Sequence, residues 1–390
     1  MCPLHDRANP GAGCDVVAVL ARTNWATVDK TMAGTVDALF RRAACDEGVP
    51  RSAAWRARGR TAAAVAGMLA AAVSPVSAGA SGPAAPQDVA ATPSCFGAAA
   101  RDVLHPCSNP KLRLAVVPTP VQAARDPNSP CAKTTRIGPL NPCAFGVAAA
   151  AATKTIALVG DSHASALRPA VDVVARAHSW LGISITHTGC AFSAATKQLP
   201  EPARSQCRAW NAAVPSWFSM HPEVDTVFVS AITGSHVTVP AGRTTAQAKV
   251  DGYLNAWRRL PSSVKHIVVI RDVPKARGST LRCVSHAIAA RRPAGPACTV
   301  PRSRALVTDP EVVAADRFSA DRSQAVDLTA LMCGRRSCDP VIGGALVHKD
   351  IHHLTQTFAA TLGPMLLRQF DALVASWLPP ANTTAPATLQ

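Results

Sequence analysis

The sequence predicts an α/β fold in which helices cover both faces of a mostly parallel, five-stranded sheet. Short apolar runs rich in β-branched residues alternate with stretches that have the period of an amphipathic helix. This alternation is typical of parallel sheets, because each helix carries the chain back across the sheet. The predicted strands are 155–159, 182–186, 224–230, 266–270 and one within 323–331.

Helical periodicity lies between these strands. Apolar residues recur at helical spacing from His163 to Ala177, and further helices are predicted at 203–218, 245–259 and 354–377. Trp210 and Trp217, in the second of these helices, are interpreted as core residues. The basic, proline-containing stretch 275–310 is expected to be a loop.

The composition limits the classes of protein to which the chain can belong. The chain has 390 residues, of which 48% are hydrophobic, so it can bury one large core. Its net charge of +16 allows an anionic partner, but because the lysines and arginines are spread along the chain, the favoured interpretation is a surface property. Because no basic run is interleaved with aromatic residues, we expect no nucleic-acid partner.

Residues 51–80 have the layout of a secretory signal. A basic segment precedes an apolar core, and small residues follow up to Ala78 and Ala80, where cleavage is expected. The segment predicts export to the cell envelope or medium, either as a cleaved signal peptide or with residues 61–80 as an anchor. Residues 1–50 are an unassigned leader, or they lie upstream of the true start.

The cysteines point to the same compartment. Three of the 13 precede the apolar segment and ten follow it, with no Cys-x-x-Cys pair of the kind that binds zinc. Ten cysteines after a signal indicate an oxidising environment. Sequence alone leaves the connectivity open, and nearest-neighbour pairing is the simplest expectation: Cys95–Cys107, Cys131–Cys143, Cys190–Cys207, Cys283–Cys298 and Cys333–Cys338.

The rest of the chain divides by composition. Residues 81–150 are predicted to be a proline-rich segment stapled by disulfides, 151–380 the main domain, and 381–390 a disordered tail. After residue 80, no apolar run is long enough for a membrane span.

The candidate chemistry lies at Gly160-Asp-Ser-His163, directly after the first strand. A serine at a strand-to-helix turn has its own amide at the helix N-terminus, where free N–H groups can stabilise an oxyanion. A serine nucleophile also needs an imidazole base held by a carboxylate, and Asp350-Ile-His-His353 offers both on one turn.

The ordered motifs resemble a known superfamily. Gly160-Asp-Ser-His163 with Asp350-x-x-His353 is similar to the SGNH (GDSL-type) hydrolases. The wider pattern resembles the SGNH domain attached to membrane-bound sugar O-acyltransferases, over roughly residues 90–380. The motifs that carry this closer resemblance are Thr155-Ile-Ala-Leu-Val-Gly-Asp-Ser-His163, Leu331-Met-Cys333 with Cys338, Gly343-Gly344, and Asp350-Ile-His-His-Leu-Thr355. The resemblance implies a flavodoxin-like three-layer α/β/α sandwich.

Carried over by position, the resemblance implies that Ser162 is the nucleophile, His353 the base and Asp350 its orienting acid. The family's second-block glycine corresponds to Gly189. Its third-block asparagine has no counterpart, since Ser230-Ala-Ile-Thr-Gly234 occupies that place. The expected oxyanion hole is therefore formed by Ser162 and Gly189 with Ser230, or Thr233 in its place.

The neighbouring polar residues are given lesser roles. Asp161 is interpreted as a turn former or hydrogen-bonding partner and His352 as a neighbour of the base. His163 lines the pocket or caps the helix. Asp272 is interpreted as a surface or loop-anchoring charge.

Two other classes of function stay open. Asp161, His163, Asp350, His352 and His353 could instead bind a metal, which would give a metal-dependent phosphoesterase. The missing asparagine also allows a non-catalytic carbohydrate-binding domain of the same fold.

The favoured hypothesis is an exported O-acyltransferase or O-acyl esterase that acts on cell-envelope carbohydrate through an acyl-Ser162 intermediate. It requires no cofactor. Its partners would be the carbohydrate and an acyl donor, which is extracytoplasmic or is handed over by a separate membrane acyltransferase.

Overall fold

The computed structural model describes residues 92–127 and 131–377. The leader 1–50, the signal or anchor segment 51–80 and the tail 381–390 lie outside these ranges. The central sheet contains seven strands, namely β1 (Ala132–Lys133), β2 (Cys143–Gly146), β3 (Lys154–Gly160), β4 (Trp180–Thr186), β5 (Thr226–Ser230), β6 (His266–Ile270) and β8 (Ser323–Val326), in the spatial order β1-β2-β4-β3-β5-β6-β8.

The five predicted strands are β3, β4, β5, β6 and β8, and all pair in parallel. The expected sheet of five strands is nevertheless too small. β1 and β2 add to it antiparallel beside β4, and both come from the proline-rich segment. Strands of two and four residues contain too few alternations to produce a periodic signal.

The sheet lies between two helical layers. The α-helices are α1 (Pro120–Ala123), α2 (Ser162–Ala177), α3 (Ala203–Met220), α4 (Thr245–Trp257), α5 (Thr280–Ala289), α6 (Ala294–Ala297), α7 (Arg302–Ala305), α8 (Pro310–Phe318) and α9 (Gln356–Trp377). Short 3₁₀ helices are Gly97–Arg101, Pro110–Leu112, Ala149–Ala151 and Thr329–Leu331. Two small ribbons pair β7 (Val300–Pro301) with β9 (Ser337–Cys338) and β10 (Val341–Ile342) with β11 (Ala345–Leu346).

The alternation within β3 shows how the core is divided. Ile156 and Leu158 pack with α2 and α9 on one face, whereas Ala157 and Val159 pack with α3, α4 and α8 on the other. Trp210 and Trp217 of α3 are buried in the second layer, as predicted. The sequence-based three-layer α/β/α fold is confirmed.

The stretch 275–310 is not the loop that was expected. It contains α5, α6 and α7, and α8 begins at its end. Val284 and Ala287 of α5 are fully buried in a small separate cluster, and Leu281 and Cys283 pack against it. Helical periodicity is judged over about 11–18 residues, so helices of ten and four residues are too short to be detected by sequence.

All five expected cysteine pairs are joined as disulfides. The segment 92–127 also lies against the main domain. The Gly97 amide donates to the Gly343 carbonyl at 3.0 Å, and the Ala98 amide donates to Thr361 Oγ1 of α9 at 3.0 Å. Within the described ranges, no helix has the length and apolar character needed to cross a bilayer.

Candidate active site

The nucleophile candidate lies on a sharp turn between β3 and α2. Gly160 ends β3 with φ of +151°, and a Cβ placed there would lie 2.0 Å from the carbonyl oxygen of Ser230. Only glycine therefore allows β3 and β5 to approach this closely. Ser162 follows as the first residue of α2, so its amide is one of the helix's free N-terminal donors.

Asp161 is the N-cap of α2 and is completely buried. Its Oδ1 accepts the His163 amide at 2.8 Å, and its Oδ2 accepts the Ile232 amide at 3.1 Å. The predicted role as a hydrogen-bonding turn former is confirmed. The carboxylate also ties the start of α2 to the loop that follows β5.

The structure brings Ser162, His353 and Asp350 together. His353 Nε2 lies 2.8 Å from Ser162 Oγ, and His353 Nδ1 lies 2.7 Å from Asp350 Oδ2. The other carboxylate oxygen, Asp350 Oδ1, accepts the amides of His352 at 2.9 Å and His353 at 2.8 Å. A hydroxyl, an imidazole and a carboxylate in this order form the arrangement that activates a serine nucleophile.

The surroundings of Asp350 keep it ionised. Partial burial opposes the charge, but hydrogen bonds from the His353 ring and from the amides of His352 and His353 lower the pKa of Asp350 well below its usual value. An ionised Asp350 accepts from His353 Nδ1–H, which leaves the Nε2 lone pair facing the Ser162 hydroxyl.

Gly189 lies in the turn that follows β4, at the same carboxyl edge of the sheet as Ser162. The turn is closed by a hydrogen bond from the Cys190 amide to the His187 carbonyl at 3.0 Å. Gly189 has φ of +72°, and a Cβ there would meet no atom within 4 Å. The glycine is therefore required by its backbone conformation, and it borders open space. Its role in an oxyanion hole stays a prediction.

The third expected member of the oxyanion hole is Ser230, or Thr233 in its place. Ser230 is fully buried, and its Oγ has no hydrogen-bond partner among residues 92–127 and 131–377. Thr233 is engaged, since its amide donates to Asp272 Oδ2 at 2.7 Å and its hydroxyl also bonds Asp272. The amides of Ser162 and Gly189 therefore stay the candidates of the expected set.

A second histidine–carboxylate pair lies behind this triad. His163 Nδ1 is 2.5 Å from Asp272 Oδ1, and His163 Nε2 is 3.1 Å from Nδ1 of His352. His163 and Asp272 are 2% and 3% exposed. Burial disfavours charge on both groups. Their mutual attraction nevertheless raises the pKa of His163 and lowers the pKa of Asp272. In this buried pair, each group thus favours the charged form of the other.

Sequence reasoning missed the importance of this pair. Asp272 does anchor the loop after β5, which is one of its two expected roles, but it is buried and not a surface charge, and its contact with the His163 ring is not predicted by the sequence. The available signal was its position two residues after β6, since polar residues that follow parallel strands meet at one edge of the sheet.

Three acidic side chains hold the loop after β5. Glu311 accepts the amide of Ala231, Asp161 that of Ile232, and Asp272 that of Thr233. Glu311 is 1% exposed, and burial raises its pKa well above the usual value. Three consecutive amides thus point inward at side chains from three different elements.

These contacts restrict which of the five expected residues could bind a metal ion. Among the described residues, nitrogen atoms of His163, His352 and His353 lie within 4.8 Å of one another and could hold an ion. Of the carboxylates in the expected ligand set, Asp161 accepts backbone amides with both oxygens, and Asp350 binds the ring and amide of His353.

The chain is similar to a protein family and to solved structures. Residues 130–368 match the family described as "SGNH domain (fused to AT3 domains)". No curated protein matches the chain. A similar solved structure is the periplasmic domain of a lipopolysaccharide acetyltransferase from Salmonella ser. Paratyphi A. It is 12% identical with a TM-score of 0.44, and the match covers 58% of this chain and 90% of that one.

Proposed function

This chain belongs to the family of SGNH domains found fused to AT3 acyltransferase domains, and from that premise we propose an exported, serine-dependent O-acyltransferase or O-acyl esterase. The proposed substrate is cell-envelope carbohydrate. The observation that carries the proposal is the hydrogen-bonded series Ser162–His353–Asp350, with links of 2.8 and 2.7 Å.

The geometry supports a two-step mechanism. His353 Nε2 takes the proton of Ser162 as Oγ attacks the acyl carbonyl of the donor. The amides of Ser162 and Gly189 face the oxyanion of the tetrahedral intermediate. As the bond to the donor oxygen breaks, His353 returns the proton to the leaving alcohol, and acyl-Ser162 remains.

The second step decides between transfer and hydrolysis. A sugar hydroxyl or a water molecule gives its proton to His353 and attacks the acyl carbonyl. Collapse of the new intermediate releases the acylated sugar or the free acid, and the proton returns to Ser162 Oγ. The protein groups are the same for both acceptors, so access and binding of the sugar determine the outcome.

Two observations support export. Five disulfides join the cysteines of the described residues, which is typical of proteins that fold outside the reducing cytosol. Residues 51–80 have the signal layout. The acyl donor would then be extracytoplasmic, or be presented by a separate membrane acyltransferase.

The residues in place of the family's third-block asparagine favour a second candidate function, a non-catalytic carbohydrate-binding domain. Ser230 is fully buried and Thr233 is bound to Asp272, and both facts disfavour these side chains as members of an oxyanion hole. A domain with a weak oxyanion site could bind carbohydrate without turning it over.

Turnover of p-nitrophenyl acetate separates these functions. The proposal expects hydrolysis that survives EDTA and is lost in Ser162→Ala. A phosphoesterase would be inactivated by EDTA, and a binding domain would show no turnover. Incubation with an acyl donor and a panel of envelope glycans, followed by mass spectrometry, then tests the substrate. Free acid with every glycan, and no deacylation of natural acylated glycans, would contradict the carbohydrate proposal.

A further inference from the structure

Lysine side chains gather on the outer side of the loop that follows β5. Lys249 of α4 donates from Nζ to the carbonyl of Thr233 at 2.9 Å. Lys275, which follows β6, places its Nζ beside Gly234, where a built Cβ would lie 2.5 Å from it. Two ammonium groups are therefore positioned on consecutive residues of one loop.

A third lysine reaches the same place from the chain between β4 and α3. Lys197 forms an antiparallel bridge with Val237, just beyond the loop. Its side chain lines one small cleft together with Lys249 and Ser235. We name Lys197, Lys249 and Lys275 the loop lysines.

The loop lysines have no carboxylate ion pair among residues 92–127 and 131–377. Asp161, which attracts Lys197, and Asp309, which attracts Lys249, each accept two backbone amides. Burial lowers the pKa of Lys249, and the positive charge of Lys275 lowers it further. Burial also lowers the pKa of Lys197, where the pull of Asp161 opposes the repulsion from Lys249. Gathering like charges costs free energy, and a bound anion would remove that cost.

The loop that the loop lysines contact is tied to the turn that carries the candidate nucleophile. The loop is tied through the Ile232 amide to Asp161, which directly precedes Ser162. Ligands of parallel sheets bind beyond the carboxyl ends of the strands, and β3 and β5 are neighbours there. An anion held by the loop lysines would therefore belong to a molecule that also reaches Ser162.

We propose that Lys197, Lys249 and Lys275 form a subsite for an anionic group, a carboxylate or a phosphate, on the carbohydrate that gives or accepts the acyl group. The inference rests on the proposed function and adds the charge of the substrate to it. Ammonium groups suit both anions, because they act as point charges with several donors.

The test compares three acetylated oligosaccharides that differ in one group: a uronate, its neutral hexose equivalent and a phosphorylated hexose. The measured quantity is the ratio of kcat/KM for each anionic ester to kcat/KM for the neutral one. The wild type should prefer one of the anionic esters, and which one it prefers identifies the anion. Lys249→Gln and Lys275→Gln should each lower that ratio about tenfold, as for a lost charge-assisted hydrogen bond.

Control variants separate the effect of a charge at the subsite from the effect of a positive charge elsewhere on the protein. Lys265→Gln removes the same charge at the amino end of β6, where Nζ donates to the Ser262 carbonyl at 2.7 Å, and it should leave the ratio unchanged. Lys275→Arg should retain the preference. Equal ratios in the wild type and both glutamine variants would overturn the subsite.

A binding experiment tests the same subsite without ester turnover. The Ser162→Ala protein is titrated with the same oligouronide and the neutral oligosaccharide, with and without Lys249→Gln. Tighter binding of the uronide that is lost in the lysine variant supports the subsite even if ester turnover fails. Equal binding of both oligosaccharides counts against it even if Ser162 chemistry is established.

Discussion

His353 Nε2 lies 2.8 Å from Ser162 Oγ, although 191 positions separate the two residues. Each partner is held by its own backbone. Ser162 begins α2 behind the N-cap Asp161, and the His353 carbonyl accepts the Lys349 amide at 3.0 Å just before α9. α2 and α9 pack against each other on one face of the sheet, which fixes the two turns relative to one another.

The first prediction concerns this contact. Ser162→Ala and His353→Ala should each lower kcat for p-nitrophenyl acetate by at least about 10³-fold, because neither group acts without the other. The double variant should be no slower than the single variants, and His352→Ala should be milder. Losses that multiply in the double variant would show that the two residues act independently.

The second prediction tests the carboxylate. Asp350→Asn keeps the shape of the side chain but cannot favour the Nδ1–H tautomer of His353 in the same way, so kcat should fall by roughly 10³- to 10⁴-fold. Circular dichroism should show an unchanged fold. A loss of less than about tenfold would mean that another group orients the base.

The third prediction concerns the buried pair of His163 and Asp272. Asp272→Asn retains an oxygen for the Thr233 amide but removes the charge beside His163, and it should lower the free energy of unfolding by about 3–5 kcal/mol. Urea unfolding measures this change. Asp327→Asn is the control. It breaks the exposed Asp327–Arg271 pair of 2.7 Å, and it should cost less than about 1 kcal/mol. Equal effects would contradict the ion pair.

The fourth prediction is a pH dependence of stability. His348 is 5% exposed and donates from Nε2 to the Pro274 carbonyl at 2.6 Å. Burial lowers its pKa to about 4. The unfolded chain, with an ordinary histidine, binds the proton first. This group therefore lowers the free energy of unfolding as the pH falls from about 6.5 towards 4, by up to roughly 3 kcal/mol.

His348→Gln provides the comparison for that prediction. Glutamine can still donate to Pro274 but does not titrate, so its unfolding free energy should depend less on pH between 4 and 6.5 than that of the wild type. Parallel pH curves for the two proteins would show that His348 is not held neutral.

The fifth prediction concerns export. The mature protein should begin near Gly79 or Ser81, and reduction should add ten hydrogens to its mass if all five disulfides form. Intact mass spectrometry of the exported protein checks both. Free thiols at most of the cysteines from Cys95 to Cys338 would contradict an oxidising compartment.

The sequence by itself determined the parallel strands, the flanking long helices, the turn at Ser162 and the Asp350-x-x-His353 unit. These features are local. A buried strand, an amphipathic helix and a strand-to-helix turn each leave their pattern in neighbouring residues. Asp350 and His353 are three residues apart, so their contact of 2.7 Å needs no knowledge of the rest of the fold.

Only the tertiary structure decided the surroundings of that unit. Asp272 and His163 are 109 positions apart. They meet because β3 and β6 both neighbour β5 in the sheet, so the residues that follow these two strands lie at the same carboxyl edge. The same strand order directs Asp161, Asp272 and Glu311 at three consecutive amides and leaves the loop lysines on the outer side. Periodicity reports which face of an element is buried, whereas partners across strands depend on strand order, which the local pattern does not contain.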